Sequence, residues 1–195
     1  MSSNRLDKIA PGKNRLVLYP LAPRYRIPSP GHFAGFLAQS GFVAGLPGGK
    51  SFQGLQPGEN FMRHLTFVGC SPSVASDENL ATYNNYSIDL IATNDNLKII
   101  AGDRVKSPMC PICGRRAEGK LAADGIRILE NQVIWICPEC EANTPVENIN
   151  WRNKLAVATH YIEVKGVFEG EVIPADKFLK ALAEQTGIGW SYCYC

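Results

Sequence analysis

Apolar residues are spaced along the first third of the chain in two ways, which predict strands and a helix. Residues 15–21, RLVLYPL, and 64–69, HLTFVG, are short β-prone runs that favour strands. Between them lies a segment with apolar residues at helical spacing, a cap at its start and a glycine at its end. The apolar residues are Phe33, Phe36 and Leu37, the cap is Ser29 followed by Pro30, and the final glycine is Gly41.

The last third of the chain has the same order of elements. Residues 159–168, THYIEVKGVF, favour a strand, KFLKALAEQTG favours a helix with Asp176 as its cap and Gly187 as its stop, and WSYCYC favours a closing strand. Segments 27–41 and 173–187 share Ile-Pro, an early Phe, Leu-Ala and a final Gly. This similarity favours an internal repeat, although two capped amphipathic helices produce much of the match on their own.

These elements predict an α+β fold of two β-α-β halves, ferredoxin-like and pseudo-duplicated, with an insertion between them. The first half is residues 14–70 and the second is residues 157–195. Residues 71–103 are predicted as a linker and a β-hairpin, whose strands in 86–103 are joined by the turn-rich residues 93–96. Residues 104–150 form the inserted module. If the insert folds by itself, the two halves build their core without it.

Four of the seven cysteines form two C-x-x-C pairs within the insert. Two thiolates at this spacing can bind one ion where the chain turns tightly, and Gly114 favours such a turn after the first pair. The β-prone VIWI run leads into the second pair. The pattern predicts a metal site, with free thiols or a redox dithiol as the alternative. Its ligands are Cys110, Cys113, Cys137 and Cys140.

The MCPICG and WICPEC segments resemble the two knuckles of a zinc ribbon, and the knuckles are similar to those of rubredoxin. The resemblance covers residues 106–145 and implies a structural Zn²⁺ ion. Four thiolates also fill a tetrahedral shell and leave no position open for substrate. Glu141 stands where the rubredoxin pattern has Gly, so iron and electron transfer are the lesser alternative.

Charge and composition bear on the compartment and on the partner. There is no apolar run of the roughly 18 residues that a membrane span needs, and the amino terminus lacks a signal-like apolar core. With reduced cysteines, this predicts a cytoplasmic protein without a membrane partner. The net charge of +2 conceals a basic amino-terminal third, a weak indication of an acidic partner or nucleic acid.

The charges near the two knuckles have opposite signs. The first is surrounded by basic residues and the second by acidic residues, whereas a phosphate-binding face needs one sign of charge. A protein partner is therefore the first expectation and nucleic acid the second. The basic residues are Arg104, Lys106, Arg115, Arg116 and Lys120, and the acidic ones are Glu139, Glu141 and Glu147.

Two patterns raise the possibility of an enzyme. AGLPGGKS, residues 44–51, fits a phosphate-loop spacing, but no strand precedes it and breakers follow it, so nucleotide binding is not expected. His64 and Cys70 resemble a base and a nucleophile, yet along an extended strand they are about 20 Å apart. An enzyme that uses residues 44–58 with His64 and Cys70 is the alternative hypothesis.

The remaining candidate residues favour structural roles. His32, at a helix start, and His160, in a strand, are predicted to be structural. Cys193 and Cys195 share one face of the last strand, which fits either a second thiol site or an ordinary half-buried strand. The sequence as a whole predicts a zinc-stabilised, non-enzymatic binding or adaptor protein.

Overall fold

The computed structural model describes residues 6–8, 14–46, 52–68, 86–93, 96–102, 105–116, 122–130 and 132–195. These residues form a mixed α+β structure that consists mostly of strands. The strands are β1 (Leu6–Lys8), β2 (Arg15–Pro20), β3 (Leu65–Phe67), β4 (Ser87–Ala92), β5 (Leu97–Ala101), β6 (Ile126–Leu129), β7 (Gln132–Ile136), β8 (Asn143–Pro145), β9 (Leu155–Ala158), β10 (His160–Lys165), β11 (Val172–Pro174) and β12 (Trp190–Tyr194). The α-helices are α1 (Pro30–Gln39), α2 (Phe61–His64) and α3 (Asp176–Thr186). In the described ranges no helix is long and apolar enough to cross a membrane.

The largest sheet has four strands in the order β12-β2-β10-β4, and all neighbours are antiparallel. One of its faces carries Leu18, Ile88 and Ile162, which pack against α1 and α3 in one apolar cluster. The ring of Phe33 in α1 stacks on Trp190 in β12, with the centroids 5.7 Å apart. Both helices therefore cover the same face of this sheet.

Each helix begins and ends for a local reason. The Ser29 side chain accepts a hydrogen bond from the His32 N–H, which caps α1 as predicted. Asp176 was predicted to cap α3, but it is the first helical residue, and the extended Ala175 holds the cap position without a side-chain bond. Gly187 ends α3 with a φ of 72°, a backbone conformation that favours glycine.

The buried positions of the two helices do not follow the predicted internal repeat. Phe33 and Leu37 are buried in α1, and Phe178 and Leu182 are buried in α3. Aligning the segments by their shared Ile-Pro pairs Phe33 with Leu179, so the buried faces are one residue out of step. The packing thus gives the duplication no support.

The second strand of the first half is not the one that was predicted. The one-turn helix α2 extends to His64, so the described part of the predicted strand, residues 64–68, contains just three strand residues, as β3. This short strand pairs with β11, outside the four-stranded sheet. The six-residue β4 pairs with β10 along its whole length and takes the position beside it.

The predicted hairpin in residues 86–103 is wrong, although both of its strands exist. β4 pairs with β10 and β5 pairs with β9, and Thr159 alone separates β9 from β10. From the pair Ala92–His160 to the pair Lys98–Ala158, the segment that contains β4 and β5 advances six residues, while the segment that contains β9 and β10 moves by two. Both the N–H and the hydroxyl of Thr93 donate to the Thr159 carbonyl at 3.0 Å. The strand that runs through β9 and β10 thus faces two separate strands, β4 and β5, and Thr93 at the end of β4 is tied to Thr159 between β9 and β10.

A second sheet, in the order β1-β5-β9, lies against the face of the first sheet that is turned away from the helices. All four residues of β9 are buried. Ala156 and Ala158 pack towards the four-stranded sheet, while Leu155 and Val157 pack towards the cysteine pairs. The described residues therefore form four layers, in the order helices, four-stranded sheet, three-stranded sheet and cysteine module, the last being the described part of residues 105–150.

Candidate metal centre

The cysteine module is built on a three-stranded antiparallel sheet in the order β6-β7-β8. Trp135 in β7 is fully buried and meets Trp151 edge to face, with the ring centroids 6.4 Å apart. A Cβ atom on Gly125 would lie 2.6 Å from Trp135 Nε1, so the chain requires glycine there. β7 ends at Ile136, next to Cys137, and so delivers the second cysteine pair from a rigid strand.

The first cysteine pair lies on a tight turn, or knuckle. The Gly114 N–H donates to the Cys110 carbonyl at 2.9 Å, and the Cys110 N–H donates to the Arg115 carbonyl at 2.9 Å. The Ile112 N–H points at Cys110 Sγ, 3.4 Å away. Gly114 has a φ of 68°. This geometry turns both thiols of the pair to the same side.

The second knuckle repeats each of these bonds. The Glu141 N–H donates to the Cys137 carbonyl at 2.9 Å, and the Cys137 N–H donates to the Ala142 carbonyl at 3.0 Å. The Glu139 N–H lies 3.4 Å from Cys137 Sγ. Glu141, at the position equivalent to Gly114, has a φ of 60°. The backbone therefore keeps the knuckle conformation although a side chain is present.

The two knuckles bring their four sulfur atoms together, and these atoms all lie within 4.8 Å of one another. Cys110 Sγ is 3.8 Å from Cys140 Sγ, and Cys113 Sγ is 3.9 Å from Cys137 Sγ. Sulfurs at about 2.3 Å from a central ion, on the corners of a tetrahedron, are about 3.8 Å apart. The distances are far too long for disulfide bonds, which are about 2.05 Å. The four cysteines are thus positioned to hold a metal ion.

The cysteines of the module differ in burial and in acidity. Cys110 and Cys137 are buried at the base of the site, whereas Cys140 is exposed. Burial raises the pKa of Cys110, but backbone hydrogen bonds from Cys113 and Ile112 outweigh it and lower this pKa to about 7. The backbone at Ala142 lowers the pKa of Cys140, but partial desolvation and the hydrogen bonds with the other three thiols outweigh it and raise this pKa to about 12. The N–H groups at the base therefore favour a thiolate, the form that binds metal.

The exposed end of the site combines apolar side chains with charge. We call this end the module tip; it comprises Met109, Ile112 and the exposed charged side chains beside the knuckles. Met109 is 56% exposed and Ile112 is 70% exposed, which is unusual for large apolar side chains. The charged residues are Lys106, Arg115 and Arg116 by the first knuckle and Glu139, Glu141 and Glu147 by the second. Arg104 and Lys120 lie outside the described residues.

Some residues of the enzyme hypothesis lie outside the described residues. These are residues 47–51, which include Lys50, and Cys70. The His64 ring packs on Phe178, with the centroids 4.4 Å apart, and its Nε2 hydrogen is directed at the Ser40 carbonyl, 2.9 Å away. The segment before residue 44 follows α1, and the Ala44 N–H donates to the Gln56 carbonyl at 2.9 Å. His64 thus has a place in the core beside α3.

The other predicted residues lie apart from the four cysteines. His32 is exposed at the start of α1, and His160 is buried with Nδ1 3.2 Å from the Thr159 hydroxyl. Cys193 and Cys195 lie on the four-stranded sheet with their sulfurs 3.9 Å apart.

Sequence reasoning missed a groove of about 220 Å³ between the cysteine module and the four-stranded sheet. It is lined by Tyr19 and Ser191 on one side and by Trp151 and Arg152 on the other. Arg152 and Asn153 both have positive φ, 52° and 55°, in a turn closed by a bond from the Lys154 N–H to the Trp151 carbonyl. The Arg-Asn pair in a polar run indicates a turn. The groove itself was missed because its other side, with Tyr19 and Ser191, is far away in sequence.

The chain was compared with protein-family models, with curated proteins and with solved structures, and none of them matches. The site must therefore be interpreted from its own geometry.

Proposed function

We propose that this chain is a zinc-stabilised, non-enzymatic binding or adaptor protein that binds a protein partner through the module tip. The observation that supports this is a single combination of features. Four thiols converge on one position and would fill a tetrahedral shell, while Met109 and Ile112 stand exposed beside them. A closed site of this kind stabilises a surface and leaves no coordination position for a substrate.

Zinc is the ion that we propose for the site. Tetrahedral coordination by four thiolates is typical of structural Zn²⁺ and of iron–sulfur sites. Elemental analysis of the purified protein is expected to give one zinc per chain. In a Cys137→Ser, Cys140→Ser double variant the zinc should be lost. A stoichiometric amount of iron with the visible absorption of an iron–thiolate site would contradict the choice of zinc.

We also infer that the helices and the four-stranded sheet form a split β-α-β sandwich of ferredoxin-like type. The sheet order supports this inference, because each crossover helix joins two strands that are separated by one antiparallel strand. β2 and β4 flank β10, while β10 and β12 flank β2. The cysteine module would then be a metal-bound extension of a common frame.

The charges at the module tip favour a protein over a nucleic acid. Met109 and Ile112 lie on the basic first knuckle, and the acidic second knuckle is next to it. A phosphate backbone would meet repulsion from Glu139 and Glu141. A peptide segment that carries an apolar side chain next to carboxylates complements the first knuckle. Its apolar side chain would cover Ile112, and its carboxylates would face Lys106. A reducing, cytoplasmic compartment suits the unpaired thiols.

The binding test compares two exposed apolar residues of the same module. Ile112→Asp puts a carboxylate at the tip, whereas Leu129→Asp changes a side chain that is 46% exposed at the far end of β6. Proteins captured from the cells that make this chain are purified, and their affinities are measured by isothermal titration calorimetry. The Ile112→Asp change is expected to weaken binding by about 10-fold or more, as for a central contact, and Leu129→Asp should not.

Two results would count against this function. Equal affinities for the wild type and Ile112→Asp, with zinc content unchanged, would place the interface elsewhere. Micromolar binding of an oligonucleotide, lost when Arg115 and Arg116 are changed to Glu, would favour the nucleic-acid alternative.

A further inference from the structure

Two cysteines that do not belong to the metal site are held next to each other on the edge strand β12. Cys193 is fully buried between the two large sheets, and Cys195 is half-buried beyond the last residue of β12. Their sulfurs are 3.9 Å apart. Two residues apart on a strand, they point to the same face.

The backbone and the charges around this pair are ordered. Arg15 and Cys195 exchange two backbone hydrogen bonds, of 2.9 and 3.0 Å, so that β2 fixes the position of Cys195. The Arg15 guanidinium also donates to the buried Glu163 carboxylate. The phenol of Tyr19 lies near Cys193, and burial raises the pKa of that phenol to about 12, so it is neutral at physiological pH. The thiols therefore have the Arg15–Glu163 ion pair on one side and apolar surface on the other.

The two thiols differ in acidity in the direction that thiol–disulfide exchange needs. The hydrogen bond from Cys193, opposed by burial and by the Glu163 carboxylate and assisted by Arg15, lowers the pKa of Cys195. Burial raises the pKa of Cys193 well above its ordinary value. The accessible sulfur is thus the better thiolate and the hidden one stays protonated, which is the asymmetry of a nucleophilic and a resolving thiol.

A second metal site explains the pair less well. In the part of the chain that the structure describes, the four cysteines of the module are the group of three or more that could hold an ion. Two thiols without a third ligand make a poor metal site. They are, however, the minimal requirement for a disulfide.

We propose that Cys193 and Cys195 are a redox-active dithiol that exchanges with a small disulfide. The Cys195 thiolate attacks one sulfur of the disulfide RS–SR, forms a Cys195–SR bond and releases RS⁻. The Cys193 thiol gives its proton to that RS⁻, and its sulfur attacks Cys195 and releases the second RS⁻, which takes up the proton released by Cys195. The dithiol is oxidised by two electrons, and RS–SR is reduced to two RSH.

The strand geometry makes the resulting disulfide easy to reduce. Residues two apart on a strand have Cα atoms about 6.7 Å apart, at the upper limit for a disulfide. Closure must therefore shorten β12 locally, and strained disulfides are the labile ones. β12 is an edge strand of its sheet, and on its open side the Tyr194 N–H donates to the Asn153 carbonyl at 2.9 Å, so closure must also strain this bond. Since Cys195 is half-buried, a small disulfide reaches it more readily than a bulky one does.

The test uses glutathione disulfide and the zinc-loaded chain of residues 1–195. After alkylation and trypsin digestion, peptide 181–195 contains Cys193 and Cys195 and no other cysteine. In the wild type this peptide is expected to lose two hydrogens and to escape alkylation, and excess glutathione should reverse both changes. The Cys193→Ser variant keeps a hydrogen-bond donor beside Cys195 and should stop with one glutathione on Cys195, and in Cys195→Ser the remaining thiol should stay unmodified. Circular dichroism and zinc content confirm that the variants are folded.

Four outcomes would overturn the proposal. A wild-type peptide that stays fully alkylated in excess glutathione disulfide would show that the pair does not close. A Cys193→Ser variant without glutathione, or a Cys195→Ser variant that reacts at the wild-type rate, would remove the assigned roles. A disulfide-linked peptide dimer should react more slowly than glutathione disulfide, and a faster reaction would contradict the preference for small disulfides.

Discussion

Gly114 and Glu141 occupy equivalent positions in the two knuckles, and both have left-handed backbone conformations, with φ of 68° and 60°. Glycine adopts this conformation freely, whereas another L-residue loses about 1 kcal/mol or more there. A Cβ atom on Gly114 would have no other atom within 4 Å. Glycine is therefore favoured at this position by the backbone conformation and not by a lack of space for a side chain.

Adding a glycine at position 141 and removing the glycine at position 114 should have opposite effects on the stability of the metal-bound module. Glu141→Gly is expected to stabilise the metal-bound module by about 1 kcal/mol, and Gly114→Ala to destabilise it by a similar amount. Competition with a chromophoric chelator measures the change in metal affinity. A weaker hold on the metal in Glu141→Gly would mean that the glutamate side chain contributes more than its backbone strain costs.

Removal of the metal should affect more of the chain than the inserted segment. The apolar core around Cys110, Cys137 and Trp135 includes Leu97 and Leu155 from β5 and β9. After chelation, hydrogen exchange is expected to lose protection in residues 105–150 and also in β5 and β9. Helices α1 and α3 belong to a separate cluster and should stay protected. Protection retained in β5 and β9 would restore the simpler expectation of an independent insert.

Gly125 is a second point at which the module should fail. A Cβ atom there would lie 2.6 Å from Trp135 Nε1 and 2.8 Å from the Ile136 carbonyl. Gly125→Ala is expected to cost about 1–3 kcal/mol, as overpacking does. Gly35→Ala is the control, since space is open in the middle of α1 and alanine should stabilise that helix by up to about 1 kcal/mol. Chemical denaturation measures both, and equal effects would refute the steric reason.

Tyr19 predicts how stability depends on pH in alkali. Burial, with a smaller contribution from Cys193, raises its pKa from 10.0 to about 12. Between these values the unfolded chain loses a proton that the folded chain keeps, so this contribution to stability is complete below pH 10 and is lost as the pH rises towards 12. In Tyr19→Phe, urea unfolding should show a smaller decrease over this window. The same slope in both proteins would contradict the assignment.

Local signals in the sequence were sufficient for α1, for α3 and for the convergence of the cysteines, but not for the one-turn helix α2. Ser29 and Gly187 mark helix ends through bonds and backbone conformations that involve a few neighbouring residues. The knuckles are likewise local, because their hydrogen bonds span at most five residues. Such features depend little on the rest of the fold.

The pairing of strands could not be obtained in the same way. Residues 93–96 have the composition of a hairpin turn, yet Thr93 bonds to Thr159, far along the chain. The β-prone pattern of residues 64–69 predicts a longer strand than the three residues of β3. The position beside β10 that was predicted for it is occupied by β4, which pairs with β10 over six residues. The burial of β9 on both faces is also a long-range property, since LAVA alone does not tell which layers cover it.

The sheet order also determines when the parts of the chain can assemble. Leu18 in β2 pairs with Ile162 and Tyr192, so β2 has no partner in this sheet until the far end of the chain is available. The knuckles and their supporting strands are made before β10. During synthesis the metal-bound module can therefore form first, while β2 and α1 wait with apolar surface uncovered. Loops this long close slowly, and the nascent chain should need chaperone protection during that interval.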